Sequence, residues 1–269
     1  MLKRIILLFM IAFAFGCNNS SSPTDSHEVK LLESTVAKID SLLYSIWDKA
    51  SASAVVVIEQ DLDESAIRTE LNSILNAFPQ LFEAAYLDSS GILKYIEPEA
   101  FKDSEGVDIS SQSHIEKLFE IKSRGLSNLF KLVEGNYGVV MLSPLIKNDV
   151  CTGSINTVFK PWELVNSITL NIEEQGIDDF FIIDESGTTI YDTDEVQIGL
   201  NVFTDSLYLP FPELQAAALK VTKNESGKTE YTFLDKEKNL TVKKDIWWRT
   251  SDYYGTKWKF CIVKEREHK

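Results

Sequence analysis

The chain has 269 residues, 44% hydrophobic and 25% charged, the make-up of a folded globular protein and not of a disordered or collagen-like one. Its 27 Lys and Arg stand against 41 Asp and Glu, a formal net charge of −14, so the basic footprint needed to bind nucleic acid or an anionic membrane surface is missing. Three cysteines and three histidines, with no Cys-x-x-Cys spacing, are too few soft ligands for a zinc or iron–sulfur scaffold. Only carboxylates could hold a metal, and no metal or cofactor is expected.

In chain order, Lys3-Arg4 precede an apolar run over 5–15, followed by Gly16-Cys17 and a Ser/Asn/Pro-rich stretch over 18–26. A basic start and a short apolar core are a secretory signal, too short to span a bilayer of about 30 Å as a mature helix. The small residue before Cys17 resembles a bacterial or archaeal lipoprotein signal, which implies lipidation of Cys17 and a tether over 17–26. The alternative is an ordinary signal peptide with a free cysteine at its end. Cleavage would remove Lys3 and Arg4 and leave a formal charge of −16. No second apolar run of membrane-spanning length follows, so lipid would be the anchor.

Apolar residues at Leu31/Leu32, Val36, Ile39, Leu42/Leu43 and Ile46/Trp47 recur in steps of three and four, which predicts one long amphipathic helix, set at 27–58. Residues 61–75 continue in helical style. An internal repeat follows. Ala85-Tyr86-Leu87-Asp88-Ser89-Ser90-Gly91-Ile92-Leu93-Lys94-Tyr95 returns as Phe181-Ile182-Ile183-Asp184-Glu185-Ser186-Gly187-Thr188-Thr189-Ile190-Tyr191. Both copies predict a hairpin, with Asp accepting from the turn backbone and Gly supplying a positive φ. Gly106-Val107-Asp108-Ile109 matches Gly199-Leu200-Asn201-Val202, each leading into a helical segment. The strand after Gly135-Asn136-Tyr137 is matched to that after Gly227, and Gly153 and Gly255 are taken to open the last strands.

The fold class is therefore α+β: a long N-terminal helix and two tandem modules, each a central antiparallel sheet flanked by helices. The modules are placed at 59–160 and 176–266, with a connecting helix in 161–175. Cys151 and Cys261 fall in different modules, so a bridge would have to cross between them, and two free thiols are expected.

The long helix, the Asp-x-Ser-Gly hairpins, the phrase Gly106-Val107-Asp108-Ile109-Ser110-Ser111-Gln112-Ser113-His114, its counterpart Tyr191-Asp192-Thr193-Asp194 with Ile198-Gly199-Leu200-Asn201-Val202-Phe203, and the terminal Trp247-Trp248 and Trp258-Lys259-Phe260 together resemble a double Cache domain, with tandem PAS-like modules, over about 27–264. The resemblance implies an extracytoplasmic sensor half of a chemoreceptor, histidine kinase or cyclic-nucleotide enzyme, binding small metabolites usually in the membrane-distal, first module. Receptor versions continue into a second transmembrane helix and an output module. This chain ends after its last strand, which points to a membrane receptor or transporter partner.

In the amino-acid-binding subset an Arg-x-Trp-Tyr pattern clamps the ligand carboxylate at the start of the helical connection. The corresponding positions here are Gln112, His114 and Ile115, so the clamp is absent and a standard α-amino acid is disfavoured against a neutral or less charged ligand. Gln112 and His114 are candidate ligand contacts or, equally, capping and surface residues. Tyr86, Met141, Ser143 and Asn156 on the strands are candidates to line the same pocket, against plain core packing. Asp192, Asp194 and Glu195, and earlier Asp61, Asp63 and Glu64, read as solvated acidic loops, since neither has a Ca²⁺-loop pattern. Trp247, Trp248 and Trp258 with Tyr253 and Tyr254 read as core.

No nucleophile elbow, His-Glu-x-x-His, P-loop or dinucleotide fingerprint occurs, so a non-enzymatic role is expected. The leading expectation is a lipid-anchored, periplasmic or cell-surface small-molecule sensor for signal transduction or chemotaxis. The competing one is a surface lipoprotein that uses the fold as a protein-contact scaffold without a metabolite.

Overall fold

A computed structural model describes residues 26–131, 137–235 and 240–266. The signal run, Cys17 and most of the tether lie outside them, as do Gly135 and Asn136. Helix α1 spans His27–Glu59, with the Ser26 hydroxyl accepting from the Val29 amide at its start. Its apolar stripe, from Leu32 through Ile39, Ile46 and Trp47 to Val57, is buried. By length and composition α1 could cross a membrane, but that stripe is taken up by the sheets of both modules. Helix α2, Glu64–Ala77, starts three residues later than the helical style at Asp61 suggests. Asp61 and Leu62 adopt left-handed φ values of 50° and 60°, which break the helix, and Asp63 then caps the new one by accepting from the Ala66 amide.

The first module follows as β1 (Leu81–Asp88), β2 (Leu93–Glu97), α3 (Ser113–Ile121), β3 (Gly125–Leu126), β4 (Phe130–Lys131), β5 (Tyr137–Lys147) and β6 (Val150–Phe159). Helix α4, Pro161–Thr169, joins it to β7 (Asp179–Asp184), β8 (Thr189–Asp192), α5 (Pro212–Lys223), β9 (Ser226–Asp235), β10 (Leu240–Tyr253) and β11 (Thr256–Glu265). The sheets run β2-β1-β6-β5-β3, with β4 also on β5, and β8-β7-β11-β10-β9. All pairings are antiparallel.

The repeat read from sequence is the repeat of the fold. Asp88 accepts from the amides of Ser90 and Ile92, and Asp184 from those of Ser186 and Thr188, around Gly91 and Gly187 at φ of 82° and 85°. The second pair of motifs makes matching bridges, Ile92 with Asp108 and Thr188 with Asn201. Two equivalences change. The partner of the last strand is β5 in one sheet and β10 in the other, so the strand after Gly227 is an edge strand that answers to β3 and β4. Gly255 lies in the β10–β11 turn, whereas Gly153 lies within β6, where a Cβ would meet the Leu87 carbonyl oxygen at 2.3 Å. Spacing to a glycine does not encode hydrogen-bonded neighbours; pairing does.

Each sheet has one face on the α1–α2–α4 layer and one under its own connecting helix. The shared layer joins Trp47, Phe159, Phe180, Tyr253, Trp258 and Phe260 into one core. Separate small cores lie under α3 and α5. Cys151 and Cys261 are both buried and unbridged, and burial pushes both thiols up.

Candidate functional site

The six candidates from sequence do not converge. Tyr86 and Met141 pack into the shared core on the α1 side of the first sheet, and Ser143, two residues on, shares that face by strand alternation. The Tyr86 ring stacks on Tyr95, and burial pushes its phenol up to about 12. Ser143 is buried, its hydroxyl without a hydrogen-bond partner among the described residues. Asn156 faces the opposite way, toward α3, and accepts from the Ser154 hydroxyl at 2.7 Å. Gln112 is exposed at the N-cap of α3 and makes no capping side-chain bond. His114 sits half-buried in the first turn of α3, and burial lowers its pKa. It borders the cleft where α3 meets the Asp184–Gly187 turn and Thr256 of the second module.

Under α3 the helix packs closely on its sheet. Ile115 and Leu118 press onto Leu87, Val140, Leu142 and Val158, leaving a space of about 20 Å³ beside His114 and Leu142. That is about enough for one water.

The second module differs at the same place. The face of α5 toward its sheet carries Leu214, Ala217, Ala218 and Val221. Two alanines at the centre of this stripe, where α3 has Ile115 and Leu118, fill little of the space between helix and sheet, and a cavity of about 470 Å³ remains. This is within the roughly 300–1,000 Å³ of small-molecule sites. Phe181, Ile183, Val202, Phe233 and Ile246 form apolar walls, with Tyr208 and Tyr231 beside them.

The polar end comes from strand register. Val263 pairs with Asp179, and Lys244 pairs with both Glu265 and Tyr231, so Asp179, Lys244, Glu265 and Tyr231 fall on the cavity face of four adjacent strands. Lys244 lies 3.5 Å from Glu265. Asp192, only 4% exposed, closes β8 and accepts from the Asp194 amide at 2.8 Å and Gln197 Nε2 at 3.2 Å. Gln197 in turn accepts from the Tyr208 hydroxyl at 2.9 Å. The reading of Asp192 and Asp194 as a solvated loop is thus corrected: both line the cavity, because β8 ends under the connecting segment instead of running into solvent.

Asp179, half-buried, accepts from the Thr193 hydroxyl and borders the cavity. Burial raises its pKa, against the lowering effect of the Thr193 bond and of Lys244. The Tyr231 phenol is pushed well up, by burial first and then by Asp179; Tyr208 is raised by burial and then by Asp192. No cluster of three His, Cys, Asp or Glu able to hold a metal ion occurs among the described residues. The family resemblance implies a pocket in the first module, and an alanine pair within a helix carries no motif that would point to the second. The detectable signal was charged residues, Asp179, Lys244 and Glu265, at alternating positions that share a face with apolar ones.

Residues 42–161 match the family model of the HK/GC/chemotaxis protein-like sensor domain. No curated protein matches the sequence. Among solved structures, an extracellular ligand-binding receptor from Desulfohalobium retbaense is similar with a TM-score of 0.70 and 22% identity over 87% of this chain. This chain spans only 39% of that receptor. The periplasmic sensory domain of the Campylobacter jejuni chemoreceptor Tlp1 matches at a TM-score of 0.65 and 10% identity, over 88% of this chain and 93% of its own. The ligand-binding domain of the Pseudomonas aeruginosa amino-acid chemoreceptor PctB, in complex with L-Arg, matches at 0.66 and 13%, over 89% and 94%. Residues 42–161 are thus similar to that sensor-domain family, and the described residues take the double Cache fold.

Proposed function

We propose that this protein is an extracytoplasmic small-molecule sensor, tethered by lipid at Cys17, that reports ligand occupancy to a membrane receptor or transporter. The observation that carries the reading is the 470 Å³ cavity between the second sheet and α5, which has both apolar walls and a polar end. A scaffold without a ligand has no use for such a space, because filling it would add apolar burial at about 25 cal/mol per Å². Structures of the same fold are periplasmic and extracellular sensor domains, which supports the compartment. Ligand closing the cavity would act on α5 and on β10 and β11. These strands reach α1, where Asp40 accepts from the hydroxyls of Ser251 and Tyr253.

The test is a thermal-shift screen of amines, carboxylates, amino acids and purines on the purified protein and on Ala218→Phe, which fills the cavity. Ligand bound only to the native state stabilises it, by about 2.7 kcal/mol at a hundred times Kd. A compound that stabilises the native chain but not the filled variant is the expected result; equal stabilisation of both would remove the cavity as the site. For the tether, Cys17→Ser is expected to shift the protein from the membrane fraction to the soluble extracytoplasmic fraction. Unchanged membrane association would dismiss lipidation at that residue.

A further inference from the structure

The two modules build the same turn with different neighbours. In the first, the Gly106 amide donates to the Leu93 carbonyl at 2.6 Å, the Leu93 amide to Val107 at 3.0 Å and the Ile109 amide to Gly91 at 2.9 Å. In the second, the Gly199 amide donates to the Thr189 carbonyl at 2.9 Å, the Thr189 amide to Leu200 at 2.9 Å and the Val202 amide to Gly187 at 3.0 Å. Gly106 and Gly199 both take left-handed φ values, 87° and 84°. A Cβ on Gly106 would meet nothing within 4 Å, whereas one on Gly199 would overlap the Tyr137 ring, 2.2 Å from Cζ and 2.3 Å from the hydroxyl oxygen. Tyr137 opens β5, so a first-module side chain rests directly on second-module backbone. That backbone belongs to a wall of the cavity. Gln197 and Val202 line the cavity from either side of Gly199, and Thr189, bonded to both Gly199 and Leu200, lines it from β8. At its other side β5 packs on α1, with Val139 and Met141 in the shared core.

We infer that Tyr137 is a positioning residue: seated on Gly199, it holds the 194–202 wall of the second-module cavity and couples the state of that wall to β5 and α1. Glycine leaves no side chain between ring and backbone, so the wall cannot move toward the first module without moving the ring. Close packing then passes the displacement on, because a packed interior has little slack to absorb it. This route to α1 is separate from the bonds that Asp40 accepts from Ser251 and Tyr253 of β10. Coupling of this kind is reciprocal, so the first module also sets how firmly the wall is held. The reporting role rests on the reading of the cavity as the ligand site; the hold of the ring on the wall does not, and it is measured without a ligand.

The experiment is amide hydrogen exchange on the purified protein, read by mass spectrometry. Tyr137→Ala should speed exchange over 187–202 by about tenfold, with less than about a twofold change over the equivalent 91–109, since only the second turn loses a neighbour. Tyr137→Phe keeps the ring and should exchange as the native chain does. In the other direction Ala218→Phe, which fills the cavity, should change exchange in β5 by about threefold, and the change should vanish in Ala218→Phe/Tyr137→Ala, a dependence that a merely structural contact would not show. If Tyr137→Ala fails to fold, Gly199→Ala takes its place. Gly106→Ala then controls for backbone strain alone, and the Gly199 variant should speed its own segment beyond what the Gly106 variant does to its counterpart. Unchanged exchange over 187–202, equal acceleration in both modules, or a β5 response to Ala218→Phe that is absent or survives loss of the ring overturns the assignment of Tyr137. Such a result leaves the cavity to its own thermal-shift test. Failure of that test with the exchange pattern as expected removes the reporting role and leaves the ring holding the wall.

Discussion

Trp258→Ala is expected to lower the free energy of unfolding by about 3–5 kcal/mol, the cost of truncating a large, fully buried ring that the surroundings cannot refill. Trp258 is 0% exposed in β11 and contacts aromatic rings on three sides, Tyr253 at 5.4 Å, Phe260 at 6.2 Å and Phe159 at 6.3 Å between centroids. Phe159 closes β6 of the first sheet, so the vacancy opens where the two modules and α1 share one core. Urea unfolding followed by tryptophan fluorescence and by far-ultraviolet circular dichroism should move together to lower midpoints. A loss below about 1 kcal/mol, the range of exposed substitutions, would show that the modules do not depend on this joint.

Asp179→Asn is expected to stabilise the ligand-free protein at pH 7, because burial disfavours the ionised carboxyl. Burial raises the carboxyl of Asp179 above its unfolded value near 3.9. A group with a raised native pKa contributes its full stability below the unfolded pKa and loses it as pH climbs through the native one. The native protein should therefore lose stability, through this group, from about pH 4 upward, and the Asn variant should lack that slope. The groups that face Asp179 decide how much remains. Lys244 from β10 favours its charge, Asp194 opposes it, and the Tyr231 phenol from β9 and the carboxylate of Glu265 from β11 stand on the same face. Melting curves from pH 4 to 7.5 in both proteins check this. A variant less stable than the native chain at pH 7 would mean that Lys244 and Thr193 more than compensate the burial. A buried carboxylate costs stability wherever its partners do not fully offset the burial.

Much of the architecture was legible in the residues. Apolar steps of three and four from Leu31 to Trp47 specify α1, because a helix buries one stripe whatever it packs against. Asp88 and Asp184 with their glycines specify the two hairpins, because a turn is a local structure settled by side-chain acceptors and a positive φ. Trp247, Trp248, Trp258 and Tyr253 read correctly as core, whereas Tyr254, taken for core with them, lies in the β10–β11 turn and is exposed. Less was legible at the candidate site. Tyr86, Met141 and Ser143 share the face that meets α1, while Asn156 points to α3, and nothing local says which face of a strand meets which helix.

What the sequence by itself determined is therefore the set of elements, the duplication of the module and the acidic character of the chain, all of which follow from local periodicity, turn chemistry and composition. What only the tertiary structure decided is which module stays open. Ile115 and Leu118 fill the space under α3, whereas Ala217 and Ala218 leave it empty under α5, and strand register gathers Asp179, Asp192, Lys244 and Glu265 at its edge. The volume of a cavity is a difference between a helix and a sheet far apart in the chain. Only their packing brings the two surfaces together and sets what remains between them.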